Sequence, residues 1–202
     1  MRNKPDLIAQ FLKNVGVAIL FGIVYINAGH VSSPLYQDGL LDTKAANINS
    51  LMFMCMMFCM AGNVQAVPYL CSSLVLYRRE LKANAYGTFS FFAAQIITAL
   101  PIQMFFHLFF IIILYFMVDF TSNSEHFFYY LFNLYFANIA SYSSALAVSA
   151  AIEVEVLALA AYPAQFLVLT TFTGYAIKLD SIPDYWFWVT YIDYCRWCLT
   201  GL

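Results

Sequence analysis

Charged residues are so sparse along this chain that they divide it into stretches too long and too apolar for anything but a bilayer. Between Lys13 and Asp38 lie 24 residues without Asp, Glu, Lys or Arg, and between Lys44 and Arg78 lie 33. The intervals from Lys82 to Asp119, Glu125 to Glu153 and Glu155 to Lys178 hold 36, 27 and 22. A helix crosses a hydrocarbon core ~30 Å thick with roughly 17–25 mostly apolar residues, and every interval reaches that length. Five spans follow, near 12–30, 47–70, 90–117, 127–151 and 156–177. The apolar runs are continuous rather than alternating, which speaks against a β-barrel. The first interval is also longer than the ~7–15-residue apolar region of a signal peptide. Only 10% of the residues are charged, against about 25% in a soluble domain, so lipid must cover much of the surface.

Lysine and arginine orient the spans. With the N-terminus cytoplasmic, Arg2, Lys4, Lys13, Arg78, Arg79 and Lys82 fall inside, and Lys44, Lys178 and Arg196 outside. That asymmetry satisfies the positive-inside rule. The link with Asp119 and Glu125 is then external, and the link with Glu153 and Glu155 is cytoplasmic without a basic residue. A net charge of −2 and the lack of a basic tail give no reason to expect a nucleic-acid partner. Cys55, Cys59, Cys71, Cys195 and Cys198 are an odd set, mostly in apolar stretches, unlike a disulfide framework.

Two segments depart from plain spans. In residues 69–87, Leu74, Tyr77, Leu81 and Tyr86 can share one helix side, with Arg78, Arg79, Glu80 and Lys82 largely elsewhere. That pattern fits an amphipathic helix at the cytoplasmic interface, and equally a snorkelling helix end. In residues 179–202, three tryptophans and three tyrosines crowd between Tyr185 and Trp197. Such a segment lies along, or dips into, the outer leaflet. The chain then stops without another complete apolar run, an ending that suggests truncation. Pro101 and Pro163 fall within spans, where a proline can kink a helix.

Candidate chemistry is thin, and no catalytic or metal-ligating set is assigned. His30, His107 and His126 have no second ligand at metal spacing, and His107 in a span reads as a functional group or as a packed, hydrogen-bonded histidine. Cys195-Arg196-Trp197-Cys198 is a lone CxxC, consistent with redox or zinc chemistry, with two unrelated cysteines, or with an external disulfide partner. The Met-rich run 51–60 offers soft contacts to apolar ligands or to neighbouring helices. Asn63, Gln65 and Gln103 are polar at membrane depth and either bond across helices or line a cavity. No GxxxxGK[ST] phosphate loop occurs.

Ordered motifs run through the chain. Arg79-Glu80 is followed by Tyr86, then Ser90-Phe91-Phe92, Ala99-Leu100-Pro101 and Leu114-Tyr115-Phe116-Met117. Arg2-Asn3-Lys4-Pro5 precedes the first span. Phe172-Thr173-Gly174 precedes Ile182-Pro183-Asp184-Tyr185-Trp186-Phe187-Trp188. In this order they resemble the membrane domain of the G (White-type) subfamily of ATP-binding cassette exporters. The likeness covers essentially the whole chain.

The resemblance implies an all-α membrane protein: about five of the six transmembrane helices of an ABC exporter membrane domain, plus an amphipathic cytoplasmic coupling helix. Residues 1–202 would form one truncated transmembrane domain, without its sixth helix or nucleotide-binding domain. That domain, on the same chain or a separate subunit, would hold ATP and Mg; this chain would hold no cofactor. A second membrane domain would complete a homo- or heterodimer. The coupling helix would include Tyr77, Arg78, Arg79, Glu80 and Tyr86, with Glu80 as a polar anchor to the segment entering span one. The substrate cavity would be lined by Phe58 and Ala61 in span two and Phe166 and Thr170 in span five. Tyr175 and Ala176 would form the hydrophobic plug. Lipid-like or amphipathic compounds would be exported. The rivals are a polytopic membrane enzyme using His107 or Glu153 and Glu155, and a non-transporting structural membrane protein.

Overall fold

The structure, a computed structural model, describes residues 4–26, 38–84, 86–118, 124–152, 154–178 and 181–201. Arg2, Asn3, His30, Asp119 and Glu153 lie outside them, as do the side chains of Lys4, Pro5, Lys44, Leu100, Glu125 and His126. The described elements are all helical. They are α1 (Lys4–Val24), α2 (Asp38–Ala61), a 3₁₀ segment (Gly62–Ala66), α3 (Val67–Lys82), α4 (Thr88–Val118), α5 (Ser124–Ala151) and α6 (Glu155–Thr171). A 3₁₀ turn (Asp184–Trp186) and two short helices, α7 (Val189–Ile192) and α8 (Tyr194–Gly201), follow.

Each of the five charge-free intervals carries a helix, with shifted limits. Among the described residues three runs are long and apolar enough to cross a membrane: Leu7–Val24, Ala46–Lys82 and Thr88–Val118. α6 is apolar but has 17 residues, and ends well before the expected limit of 177. α4 has 31 residues, about 46 Å of helix, so it continues past a hydrocarbon core ~30 Å thick. Pro101 and Pro163 both sit inside continuous helices.

The chain divides into two compact units. The first holds residues 1–55 and 101–132. Here aromatic rings of α1 meet α4: Phe11 lies edge-on to Phe109 at 5.5 Å, and Phe21 edge-on to Phe110 at 6.5 Å. Tyr115 of α4 meets Phe127 of α5 at 5.1 Å. An apolar cavity of about 510 Å³ opens between Leu7–Leu12 of α1 and Pro101–Phe106 of α4.

The second unit holds residues 56–100 and 133–202. Its core joins Val67, Leu70 and Cys71 of α3, Tyr142, Ala145 and Leu146 of α5, and Ala158 and Tyr162 of α6. These positions recur three or four apart, so each helix turns one stripe inward. The fully buried Ala145 and Ala158 let backbones approach closely, as helix packing without a hydrophobic driving force requires.

Candidate functional site

The basic element comes first along the chain. α3 continues the helical run of span two to Lys82 rather than standing as a separate helix over 69–87. Its buried face is Val67, Leu70, Cys71, Leu74 and Tyr77. Leu81 and Tyr86, expected on that face, are exposed: Leu81 stands in the last turn of α3, and Tyr86 follows the left-handed turn at Asn84, φ 54°. Arg79 and Lys82 occupy the last turn, where cations favour the helix dipole. Arg78 and Arg79 are exposed and Glu80 is half-buried.

An aromatic clasp closes this corner onto α4. The Tyr77 ring stacks on Phe91 at 4.4 Å, and Phe91 stacks nearly parallel to Tyr86 at 6.3 Å. The Tyr77 hydroxyl donates to Thr88 Oγ1 at 2.7 Å. The Tyr86 hydroxyl donates to a Glu80 carboxylate oxygen. That hydrogen bond, with the carboxylate's charge, pushes the Tyr86 phenol up to about 12, so it keeps its proton near neutrality. Thus Glu80 is tied to Tyr86; its expected anchor before span one involves residues outside the described ones.

Of the expected cavity residues, Phe58 and Ala61 close α2 and are half-buried. Phe166 and Thr170 are buried. They continue the α6 stripe of Ala158 and Tyr162 at a spacing of four, so they face the interior of the second unit. The Thr170 hydroxyl donates to the Leu167 carbonyl at 2.9 Å. The outer α6 surface is instead Val156, Leu159, Leu167 and Val168.

Between α2 and α3 the ladder changes to 3₁₀, and polar side chains gather there. Asn138 Nδ2 donates to the Cys59 carbonyl at 2.8 Å. Ser141 Oγ and the Tyr162 hydroxyl donate to the Met60 carbonyl at 3.0 and 3.2 Å. Asn63 Nδ2 donates to the Asn138 carbonyl at 3.3 Å. Asn63 thus bonds across helices, one of its two expected roles, whereas Gln65 is exposed. Asn138, Ser141 and Tyr162 were missed in the sequence, although Asn138, Ser141 and Ser149 trace a polar helical stripe.

The last motifs meet in space. Gly174 has φ 90°, a conformation that favours glycine, and Thr173 Oγ1 bridges the Thr170 carbonyl and the Tyr175 N–H. Tyr175 and Ala176 are exposed beyond this turn. Phe172 stacks on Trp186 at 5.8 Å, joining the Phe-Thr-Gly and Ile-Pro-Asp-Tyr-Trp motifs. The tail is only partly peripheral: Asp193, Cys195 and Cys198 are buried while Tyr191 and Trp197 are exposed. Cys195 Sγ lies 3.6 Å from Met60 Sδ. Both CxxC thiols are free and buried, so neither is presented to an external disulfide partner. Among the described residues no His/Cys/Asp/Glu group is placed to hold a metal. His107 bonds the Gln103 carbonyl through Nδ1 at 2.7 Å, the packed-histidine arrangement.

Asp193 caps α8, accepting the Cys195 N–H at 2.9 Å through Oδ1. Its Oδ2 is buried without a hydrogen-bond partner, and burial pushes the carboxyl above its ordinary value near 3.8. The folded state therefore holds the proton more tightly, and stability falls as pH rises through that window. Asp193→Asn keeps the cap acceptor and removes the charge. Its thermal midpoint in detergent is expected to exceed the parent's at pH 7, with the gap closing below pH 4. A variant less stable than the parent at pH 7 would mean that the ionised carboxylate is needed.

Residues 1–202 match the family model described as ABC-2 type transporter. The chain is 26% identical over 193 residues to ABC transporter G family member 2 of Dictyostelium discoideum, covering 96% of this chain and 14% of that protein. It is 24% identical over 204 residues to ABC transporter G family member 44 of Oryza sativa subsp. japonica, covering 100% and 13%. It is 26% identical over 194 residues to Protein white of Drosophila melanogaster, covering 96% and 27%. The chain therefore spans a minor part of the length of each of these relatives.

Proposed function

The chain belongs to the ABC-2 type transporter family, and we propose that it is the membrane domain through which an ATP-driven exporter of the G subfamily moves lipid-like or amphipathic compounds. The observation that carries this reading is the match along all 202 residues to a membrane-domain family. The sequence has no phosphate loop, so ATP and Mg do not fit this chain. They belong to a nucleotide-binding domain, on the same polypeptide or another, and no step below runs through them.

The chain's own contribution is mechanical and selective. The α3–α4 corner, basic at Arg78, Arg79 and Lys82 and clasped by Tyr77, Tyr86 and Phe91, receives motion at the cytoplasmic side and passes it into α4. Pairing with a second membrane domain completes a cavity served by the half-buried Phe58 and Ala61 and, once the α6 stripe turns out of its own core, by Phe166 and Thr170, with Tyr175 and Ala176 at its outer end. The aromatic and small apolar side chains there match apolar ligands better than ions. Ligand shifts the inward and outward states only through unequal affinity for them.

The test is transport by the intact protein in proteoliposomes, with fluorescent phospholipid and sterol analogues and ATP. ATP-dependent, vanadate-sensitive movement of an amphipathic probe is expected. Glu80→Gln should lower transport per ATP hydrolysed severalfold while leaving nucleotide binding intact. Export that proceeds unchanged without ATP would overturn the reading.

A further inference from the structure

We propose that residues 59–66 are a hinge in span two, held in its present geometry by a latch of Asn138, Ser141 and Tyr162. The 3₁₀ segment Gly62–Ala66 interrupts the helical run Ala46–Lys82 near its middle. A 3₁₀ stretch in the middle of a helical run often marks a functional hinge or a sequence under strain. At membrane depth its backbone polar groups need protein partners, and the last carbonyls of an α-helix are the ones the regular ladder leaves over.

The second unit supplies those partners from two other helices. Asn138 and Ser141 reach from α5 to the carbonyls of Cys59 and Met60, and Tyr162 reaches from α6 to Met60. The Ser141 and Tyr162 hydroxyls also lie 2.7 Å apart. With two protons for three contacts, one hydroxyl at a time gives up the Met60 carbonyl to donate to the other, and the shared carbonyl ties both helices together. All three side chains are buried. Here donors from two helices converge on consecutive carbonyls, so α5 and α6 move with the hinge or must let go of it.

The placement adjoins the residues assigned to the cavity. Phe58 and Ala61 flank the latched carbonyls on span two, and Phe166 lies one turn beyond Tyr162 on the same α6 stripe. Releasing the latch changes both walls together. That link to access switching rests on the exporter reading; the latch itself does not.

Native cysteines report the hinge. Cys59 supplies a latched carbonyl, and Cys195 lies against Met60. Cys55, four residues before Cys59 on α2, is the internal control. The rate of modification by methyl methanethiosulfonate is followed site by site by mass spectrometry, in the intact protein in nanodiscs. Tyr162→Phe retains the packed ring and removes the hydroxyl. Together with Ser141→Ala it is expected to raise the Cys59 and Cys195 rates by about three- to tenfold, the range for losing buried interhelical hydrogen bonds. Cys55 should stay at its parental rate, and Ser141→Thr should restore most of the protection. Unchanged rates at Cys59 and Cys195, or an equal rise at all five cysteines, overturn the latch. ATP with vanadate should alter the parental Cys59 rate. If the latch variants behave as expected but nucleotide has no effect, the exporter reading fails and the hinge stands.

Discussion

Replacing Tyr77 with alanine is expected to cost about 3–5 kcal/mol of stability at the α3–α4 corner and, on the exporter proposal, to uncouple ATP use from transport. Tyr77 is buried, stacks on Phe91 at 4.4 Å and donates to Thr88. Truncation removes the ring between α3 and the start of α4 and leaves a cavity the short turn cannot fill. Tyr77→Phe keeps the stack and loses only the hydrogen bond, at about 0.5–1.5 kcal/mol. The two variants therefore separate packing from polar contact. Thermal unfolding in detergent should rank parent, Tyr77→Phe and Tyr77→Ala in that order. In proteoliposomes Tyr77→Ala should retain ATP hydrolysis with little transport. Alanine and phenylalanine variants of equal stability would mean that the stack contributes nothing to the corner, and the clasp would be dismissed.

That corner shows how far the sequence could be read. Motif order led to Arg79-Glu80 and Tyr86 as a unit, and the structure joins Glu80 to Tyr86. Helical periodicity then placed Leu81 and Tyr86 on the buried face, which failed. Periodicity assumes a continuing helix, and the chain leaves it after Lys82 with Asn84 at positive φ. The alternation of apolar and basic residues does not mark that exit; the signal was Asn84, a weak helix former that tolerates the left-handed conformation, following the basic last turn.

The five spans were legible for a stronger reason. Burying a charge in hydrocarbon costs several kcal/mol, so the positions of Lys, Arg, Asp and Glu bracket the helices even where their ends slip. The break at Gly62–Ala66 was not legible, since Asn63 was visible as a polar residue but the Asn138 carbonyl it bonds lies 75 positions away, and the Asn138 side chain lies 79 positions from the Cys59 carbonyl it caps. Similarly, Phe166 and Thr170 were found by motif position, yet the stripe they share with Ala158 and Tyr162 turns them into the unit's own core. Spacing of four identifies a common face; what that face meets depends on the fold.

The tight approach of α1 to α4 in the first unit leads to the second large effect. A Cβ added to Gly22 of α1 would sit 2.5 Å from Met117 Sδ and 2.9 Å from Met117 Cβ on α4. The thioether can swing aside, but Cβ moves only with the α4 backbone, so Gly22→Leu must push the helices apart. Such overpacking costs about 1–3 kcal/mol, and small residues are what permit close helix contact in a bilayer. A Cβ added to Gly16, on the same helix, would meet nothing within 4 Å, so Gly16→Leu should not lower stability and gains up to about 1 kcal/mol from helix propensity. Thermal unfolding of both variants in nanodiscs makes the comparison, and equal behaviour would show that the α1–α4 contact is not close-packed. The cause is isolated by a second-site change. Met117→Ala removes the Sδ and Cε contacts but keeps its Cβ, so it should relieve Gly22→Ala in part and Gly22→Leu less, whereas Met117→Gly should relieve Gly22→Ala almost fully. Contacting residues are expected to depart from additivity in this way. Additive costs would instead place the effect of Gly22 in the helix backbone rather than in its approach to α4.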